Sequence, residues 1–303
     1  MMLDFFKKNK NTISEPLQSS AVIRVIGDRS AGKTAYMASL ARWPNADPKS
    51  PVQTVTPVGE AGEDLVSKAQ NILEQGLQLE PTDLNANAAE VKDYTLTITL
   101  KAQFSWKNPQ ATIGSKLANL NISCKDYAGE FFADLLQQSG NPKLQDYMED
   151  CLQATGIMLL IDGTSRKDSD YVNALDKFLT ALDRTDINRG FRRIALVLTK
   201  CEQSELWVNR HQPDFLAKAR FSQVCAKLQT WQQMGAGEVN YFTASAFGML
   251  GQNCPEPNVN LDRRSRDGVS AMIKDPKRWR PFGLVAPIYW LCTGDRHREL
   301  DKG

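Results

Sequence analysis

The chain has 303 residues, and 42% of them are apolar, which is enough to bury a sizeable core. Lysine and arginine number 37 against 35 aspartates and glutamates, so the net charge of +2 excludes a bulk attraction to nucleic acid or to an anionic membrane. No stretch approaches the roughly 20 apolar residues that a membrane-spanning helix needs. The composition predicts a soluble cytoplasmic protein that recognises its partners locally and binds no specific nucleic acid.

The first 20 residues (1–20) are predicted to form a flexible tail without an apolar run long enough for a signal peptide. Leu3, Phe5 and Phe6 stand beside three lysines, so the tail offers a weak peripheral contact with a membrane surface at most. The cysteines stand far apart without a CxxC pair, which predicts reduced, mostly buried thiols and no metal site. These six are Cys124, Cys151, Cys201, Cys225, Cys254 and Cys292.

A glycine-rich loop follows the first predicted strand. The apolar run AVIRVI reads as a buried strand, and a helix predicted from Lys33 to Arg42 opens directly from the loop GDRSAGKT at residues 27–34. This loop fits the pattern G-x-x-x-x-G-K-[ST], which holds nucleotide phosphates, and it has the strand before it and the helix after it that the pattern requires. The sequence therefore predicts a phosphate site here.

The residues of this loop have separate predicted roles. Gly27 and Gly32 let the backbone turn tightly, so that its N–H groups and the helix N-terminus meet the phosphates. Lys33 would bridge the β- and γ-phosphates, and Thr34 would bind Mg²⁺ through its hydroxyl. The other members of the loop are Asp28, Arg29, Ser30 and Ala31.

The next segment, DPKSPVQTVTPVGE at residues 47–60, is rich in proline, threonine and serine, which predicts a long exposed loop. Apolar residues at helical spacing from Leu65 to Leu73 then predict a short amphipathic helix that stops at Gly76.

Two alternating runs follow. YTLTITLKAQF, from Tyr94 to Phe104, alternates apolar and polar residues throughout, which predicts a strand with one solvated face. LANLNISCKD at residues 117–126 repeats the pattern, so the two runs predict an antiparallel hairpin across a loop at residues 108–115.

Three later segments, GIMLLID, RRIALVLTK and VNYFTASA, contain compact apolar runs of the kind found in buried strands and are separated by helical stretches. Alternating strands and helices predict an α/β fold, a P-loop NTPase three-layer sandwich whose sheet is mostly parallel with one antiparallel hairpin strand. We predict one domain at residues 21–296 with insertions at about 47–92 and 251–281, followed by a tail at 297–303.

The second insertion, 251–281, contains seven basic residues against four acidic ones, with Trp279 among them. One interpretation is a solvated excursion, and the other is a docking surface for an acidic partner with Trp279 as its anchor. Its basic residues are Arg263, Arg264, Arg266, Lys274, Lys277, Arg278 and Arg280.

The type of nucleotide depends on three further motifs at strand ends. In DYAGE, Asp126 could hold a Mg²⁺-bound water and the Gly129 N–H could meet the γ-phosphate. In LTKCE, a carboxylate at Glu202 can accept both N1–H and N2–H of guanine, which adenine lacks, while the Lys200 stem covers the base. In ASA, the Ala246 N–H could meet guanine O6. Each motif lies at the carboxyl end of its own strand, where open sheets bind ligands.

On these residues the sequence resembles the Ras-like small GTPase superfamily, within the TRAFAC class of P-loop GTPases, and is most similar to bacterial double-GTPase type domains. The resemblance covers Val22 to about Cys292. It implies a switch that binds GTP and GDP with Mg²⁺, hydrolyses GTP slowly and docks an effector or regulatory protein. It also implies that Thr199 and Lys200 belong to the base motif and Ser245 and Ala246 to the last loop.

Three residues depart from the family pattern. Glu202 replaces the usual aspartate, which keeps the carboxylate but places it one methylene further out. Glu130 stands where many members have the glutamine that orients the attacking water, so hydrolysis follows different rules here. Arg29 stands where the family has a small residue, and it either places a positive charge on the phosphates or points into solvent.

The first-switch threonine, which in this family closes over Mg²⁺ and the γ-phosphate, has no motif around it. Thr54, Thr56 and Thr82 compete for this role, and Thr82 is preferred because it follows the inserted helix and lies nearest the hairpin.

Two other functions compete with the GTPase interpretation. A P-loop ATPase would use Asp162, at the end of IMLLID, as its acidic Mg²⁺ ligand. A scaffold that binds GTP without turnover would have the same motifs, with Glu130 unable to support hydrolysis.

Overall fold

We analysed a computed structural model of the chain. The residues that the structure describes are 18–28, 31–46, 49–74, 93–101, 118–126, 135, 142–184, 192–251, 256–265 and 268–301.

The main sheet has seven strands in the order β2-β3-β4-β1-β5-β6-β7, and a separate two-stranded hairpin pairs β8 with β9. The strands are β1 (Gln18–Gly27), β2 (Val52–Val58), β3 (Asp93–Leu100), β4 (Ala118–Asp126), β5 (Gly156–Asp162), β6 (Arg192–Thr199), β7 (Gly237–Thr243), β8 (Val259–Ser265) and β9 (Gly268–Ile273).

The five strands from β4 to β7 in this order run parallel, with β1 between β4 and β5. In β5, every residue from Gly156 to Ile161 is buried, because helices cover both faces of the sheet there. The predicted α/β fold with a mostly parallel sheet is therefore confirmed.

The predicted antiparallel hairpin is also confirmed. Tyr94 pairs with Cys124 and Leu100 with Ala118 in the antiparallel β3–β4 ladder. Burial alternates along β3, so the apolar residues predicted to face inward do so.

The prediction of a long exposed loop at 47–60 is wrong. Residues Val52–Val58 form β2, which pairs antiparallel with β3 at the edge of the main sheet. Valine and threonine favour a pleated, half-exposed surface, and Pro57 is tolerated because an edge strand has one side without a ladder. The proline and threonine content therefore indicated an edge strand and not a loop.

Within the described residues, the helices are α1 (Lys33–Ala46), α2 (Gly59–Glu74), α3 (Pro142–Leu152), α4 (Asp168–Arg184), α5 (Ser204–Trp207), α6 (Pro213–Arg220), α7 (Ser222–Gln233) and α8 (Ala286–Thr293), and a 3₁₀ turn lies at Pro276–Arg278. Helix α2 packs on α1, β2 and β3, and α8 packs across β1, β5, β6 and β7. The predicted helix before Gly76 thus corresponds to α2, and the predicted closing helix corresponds to α8.

Two apolar cores hold these elements together. The larger core surrounds the main sheet. The second core joins small and apolar residues of α1 and α2 to the loop after β7 and to the 251–281 insertion. Its buried members are Ala35, Ala38, Ala69, Ile72, Leu73, Phe247, Val259, Ile273 and Trp279.

This second core corrects one interpretation of the insertion. Trp279 is only 6% exposed and packs with Val259 and Ile273, so it is not an exposed anchor for a partner. The side chains of Arg263, Arg264 and Arg266 lie outside the described residues.

The ends of the domain also differ in detail from the predicted boundaries. Strand β1 begins at Gln18, inside the segment assigned to the tail, and Leu300 is buried. The described cysteines are free thiols, and all of them except Cys292 are buried, as predicted for this set; Cys254 lies outside the described residues. In the described part of the chain, no helix is long and apolar enough to cross a bilayer.

Candidate functional site

The glycine loop joins β1 to α1 at the carboxyl edge of the sheet. A Cβ added to Gly27 would come within 2.2 Å of Leu160 O on the neighbouring strand β5, so only glycine fits this close approach. Gly32 has a φ of +80°, which an L side chain rarely adopts, and it lies directly before α1. The two glycines identified in the sequence thus bend the backbone at both ends of the loop.

Lys33 lies over the loop that precedes it. Its side chain is buried at 7% exposure, and its Nζ donates to Gly27 O and to Asp28 O, both at 3.0 Å. A lysine held in this way keeps its ammonium group inside the loop, where phosphate oxygens would be bound. The Asp28 carboxylate contacts helix α4 and accepts a hydrogen bond from Tyr171 Oη at 3.2 Å.

Two predicted ligands of Mg²⁺ flank the loop. Thr34 is half-buried in the first turn of α1. Asp126 ends β4 and pairs with Val25 in the β1–β4 ladder, two residues before the loop begins. The backbone thus places the end of the Asp126 strand beside the glycine loop.

Several predicted site residues lie outside the described residues. These are Arg29, Ser30, Thr82, Gly129 and Glu130, together with the side chain of Asp126. The other threonines considered for the first switch, Thr54 and Thr56, lie on β2. Because β2 is three strand positions from β1, they lie about 14 Å from the β1 axis at roughly 4.8 Å per strand.

Thr199 ties the end of β6 to the glycine loop. It is 5% exposed, and its Oγ1 lies 2.7 Å from Ala31 O, to which it donates. Thr199 therefore acts through the loop backbone, and it fixes the distance between the two segments that would hold the phosphates and the base.

Lys200 follows with a φ of +58°, which makes it the one left-handed residue other than glycine in the described part of the chain. Its Nζ lies 2.6 Å from Asp162 Oδ2, and Asp162 also accepts from Thr164 N at 2.9 Å. This ion pair bridges the ends of β5 and β6 and holds Lys200 in its strained conformation. The Asp162 carboxylate is thus bound by Lys200 and Thr164, which does not support a role for it as an ATPase Mg²⁺ ligand.

Glu202 is a buried carboxylate at 2% exposure. Its Oε2 is buried and has no hydrogen-bond partner within the described protein. Burial raises the pKa of Glu202 above its ordinary value, and hydrogen bonds from the side chains of Ser245 and Gln203 oppose that rise. A buried carboxylate oxygen without a donor is costly, so this position fits a ligand that presents N–H groups to it.

Ser245 and Ala246 lie after β7 in the loop predicted to face the base. The Ser245 hydroxyl accepts from Gly248 N at 2.8 Å and donates to the Glu202 carboxylate. Ala246 O accepts from Ser39 Oγ at 3.0 Å and from Trp279 Nε1 at 2.7 Å. The loop is therefore held by α1, by Glu202 and by the insertion.

The sheet places these segments along one edge. The glycine loop follows the central strand β1, and the Asp126 strand β4 lies on one side of it. On the other side lie β6, which ends at Thr199, and β7, which leads into the Ser245 loop. An antiparallel hairpin strand precedes the Asp126 strand. This arrangement is a three-layer α/β fold with a mostly parallel sheet, an antiparallel hairpin and a glycine loop after the central strand.

No protein-family model and no curated protein matches the sequence. Solved structures with P-loop GTPase folds resemble the chain at low identity. One is the signal recognition particle receptor SRb-GTP/SRX complex from Chaetomium thermophilum, 14% identical, with 78% of this chain and 93% of that chain covered and a TM-score of 0.40.

Another is an ADP-ribosylation factor-like GTP-binding protein, a small COPII coat GTPase from Encephalitozoon cuniculi in complex with GDP. It is 14% identical, with 75% of this chain and 69% of that chain covered and a TM-score of 0.31. The cytosolic domain of the T. maritima FeoB iron transporter in its GMPPNP form is 12% identical, with 75% and 57% covered and a TM-score of 0.30. Likeness of this degree concerns the fold alone.

Sequence reasoning missed two residues of this candidate site. Ser39 lies inside α1 and carries no sequence signal, because a serine within a helix commonly faces solvent. Trp279 was singled out, but as an exposed anchor. Its proximity to proline and glycine in WRPFG was the available signal of a tight backbone approach, although the sequence does not indicate which loop it approaches.

Proposed function

We propose that this protein is a guanine-nucleotide switch that binds GTP and GDP, hydrolyses GTP slowly and docks a partner protein according to the nucleotide. The observation that carries the proposal is the buried Oε2 of Glu202, which has no donor within the described protein and lies in the base-motif loop of a P-loop GTPase fold. Guanine offers N1–H and N2–H to such a carboxylate, and adenine offers neither.

The remaining site residues would bind different parts of the nucleotide and its Mg²⁺. The glycine loop, with Lys33, would hold the phosphates, and the backbone N–H of Ala246 would meet guanine O6. Thr34 and Asp126 would hold Mg²⁺, which neutralises charge on the β- and γ-phosphates when bound. Both donors are oxygen atoms, which suit this cation.

The residues proposed for hydrolysis and switching are assigned from their places in the sequence, because they lie outside the described residues. Glu130 would stand beside the attacking water in place of an amide, which makes intrinsic turnover slow, and Arg29 would place a positive charge on the phosphates. Thr82 would sense the γ-phosphate, since Thr54 and Thr56 belong to the edge strand β2.

The test is the substitution Glu202→Gln with two nucleotides. The amide keeps the shape of the side chain but replaces a charged acceptor, so the affinity for GDP should fall at least tenfold. IDP lacks the 2-amino group, so wild type should prefer GDP over IDP and the variant should lose most of that preference.

Glu205→Gln is the matched control, because Glu205 is an exposed carboxylate three residues away that pairs with Arg220 at 3.4 Å. Equilibrium dissociation constants from calorimetry decide the outcome. If Glu202→Gln has the same GDP affinity and the same preference for GDP over IDP as Glu205→Gln, the assignment of Glu202 to the base is overturned.

A further inference from the structure

The segment 279–283, WRPFG, contacts the loop after β7 through backbone hydrogen bonds. Ser245 N donates to Phe282 O at 3.0 Å, and Phe282 N donates to Ser245 O at 3.1 Å. A Cβ on Gly248 would come within 1.9 Å of Arg280 O. The two stretches thus contact each other at two isolated bridges, Ser245 with Phe282 and Gly248 with Arg280, although about 35 residues separate them in the chain.

This pairing fixes the direction of one N–H group. Ser245 O and Ala246 N belong to the same planar trans peptide, so they point in opposite directions. Because Phe282 N holds Ser245 O, the Ala246 N–H must point away from the 279–283 segment. The orientation of the expected donor to the base is therefore set by the 279–283 segment.

The next peptide is held as firmly. Ala246 O accepts from Trp279 Nε1 at 2.7 Å and from Ser39 Oγ at 3.0 Å. Both donors are buried, with Ser39 at 0% and Trp279 at 6% exposure, so water competes little for these bonds. The Trp279 ring also packs in the second core, which fixes the direction of its N–H.

We propose that Trp279 is a positioning residue for purine recognition. Its indole N–H, together with the Ser39 hydroxyl, fixes the Ala246–Phe247 peptide. Phe282 N fixes the Ser245–Ala246 peptide before it, so that with both neighbouring peptides held the Ala246 N–H presents a preformed donor to O6 of the base. This role rests on the proposed function, because it requires that guanine is the base bound here. It also gives a reason for the burial of a tryptophan in a basic, proline-containing insertion, since Trp279 donates its hydrogen bond to the loop after β7.

The test compares GDP with 6-thio-GDP in wild type and in Trp279→Phe. The thio analogue keeps N1–H and N2–H but replaces O6 with sulfur, a weaker acceptor. Phenylalanine keeps a buried ring and removes the indole donor. We expect Trp279→Phe to weaken GDP binding by about three- to tenfold, the scale of one lost hydrogen bond, and to bring the GDP to 6-thio-GDP ratio close to one.

The preference for GDP over IDP should not change in Trp279→Phe, since it reports on the 2-amino group and Glu202. Ser39→Ala removes the second donor to Ala246 O and should shift the same GDP to 6-thio-GDP ratio in the same direction. It is a second route to the result if Trp279→Phe fails to fold.

Trp231→Phe is the matched control. Trp231 is buried at 2% exposure on α7, and its Nε1 donates to Asp183 Oδ1 at 3.0 Å, away from the base loop. It should leave both nucleotide ratios unchanged.

Two negative outcomes are distinguishable. In the first outcome, wild type prefers GDP over IDP, but Trp279→Phe and Ser39→Ala have the same ratio of GDP affinity to 6-thio-GDP affinity as Trp231→Phe. The positioning role is then overturned and the proposed function stands. If wild type binds no GDP, the proposed function itself fails, and the positioning role fails with it.

Discussion

Glu202 is an ionisable residue that is only 2% exposed, and its burial makes the folding stability of the nucleotide-free protein depend on pH. Burial holds the pKa of its carboxyl above the ordinary value of 4.5. The folded state therefore keeps a proton at a pH where the unfolded state has released it. Folding stability must depend on pH across that window.

The sign of this dependence follows from the direction of the shift. Because the folded state binds more protons, the free energy of unfolding falls as the pH rises from about 4.5 through the raised pKa of Glu202. We expect Glu202→Gln to remove this decline and to be more stable than wild type at pH 8 in the absence of nucleotide. Urea unfolding at pH 5, 6, 7 and 8 measures the effect.

The exposed neighbour Glu205 supplies the control, since Glu205→Gln should retain the decline of wild type. Parallel pH profiles for wild type and Glu202→Gln would contradict the raised pKa. If the pKa of Glu202 is raised as described, Glu202→Gln makes the nucleotide-free protein more stable and weakens guanine recognition, a trade expected at a binding site.

At the scale of single residues, the glycine loop was the most predictable part of the site. Its pattern is local, so Gly27, Gly32 and Lys33 could be assigned roles from eight consecutive letters. The hydrogen bonds of Ser39 and Trp279 to Ala246 O could not be predicted, because they join segments that are far apart in the chain and no local pattern encodes that contact.

At the scale of elements, the parallel strands and the β3–β4 hairpin followed from periodicity, and the edge strand did not. Residues 52–58 alternate weakly and contain Pro57, and turn-forming residues flank them, so the local signals favoured a loop. The strand forms because β3 offers it an unpaired edge, which is a tertiary cause.

The edge strand limits where a nucleotide-dependent difference in hydrogen exchange is expected. Strand β2 is held by β3, and α2 is held by the second core through Ala69, Ile72 and Leu73. We therefore expect β2 and α2 to be protected from hydrogen exchange with GDP and with a slowly hydrolysed GTP analogue alike. The difference between the two states should lie C-terminal to Glu74 and around Asp126.

Thr82→Ala should erase the gain in protection with the GTP analogue and leave the affinity for GDP nearly unchanged, because the threonine contact exists only with the γ-phosphate. Thr56→Ala, on the edge strand, is the matched control. A loss of the difference in Thr56→Ala but not in Thr82→Ala would contradict this placement of the first switch.

At the scale of the whole molecule, the two insertions predicted at 47–92 and 251–281 contribute to one second core over α1. Helix α1, helix α2 and the loop after β7 are therefore packed together. Sequence patterns gave the apolar residues of each segment, but not the surface that each one covers, since that depends on the assembled fold.

The central claim is that this fold binds guanine nucleotides selectively, and one titration tests it most directly. Nucleotide-free wild-type protein is titrated with GDP and with ADP in the presence of Mg²⁺, and the two dissociation constants are compared by calorimetry. The account predicts that GDP binds at least tenfold more tightly than ADP, about 1.4 kcal/mol, because adenine would leave the buried Glu202 carboxylate without its N–H donors. Equal affinities for GDP and ADP would contradict it.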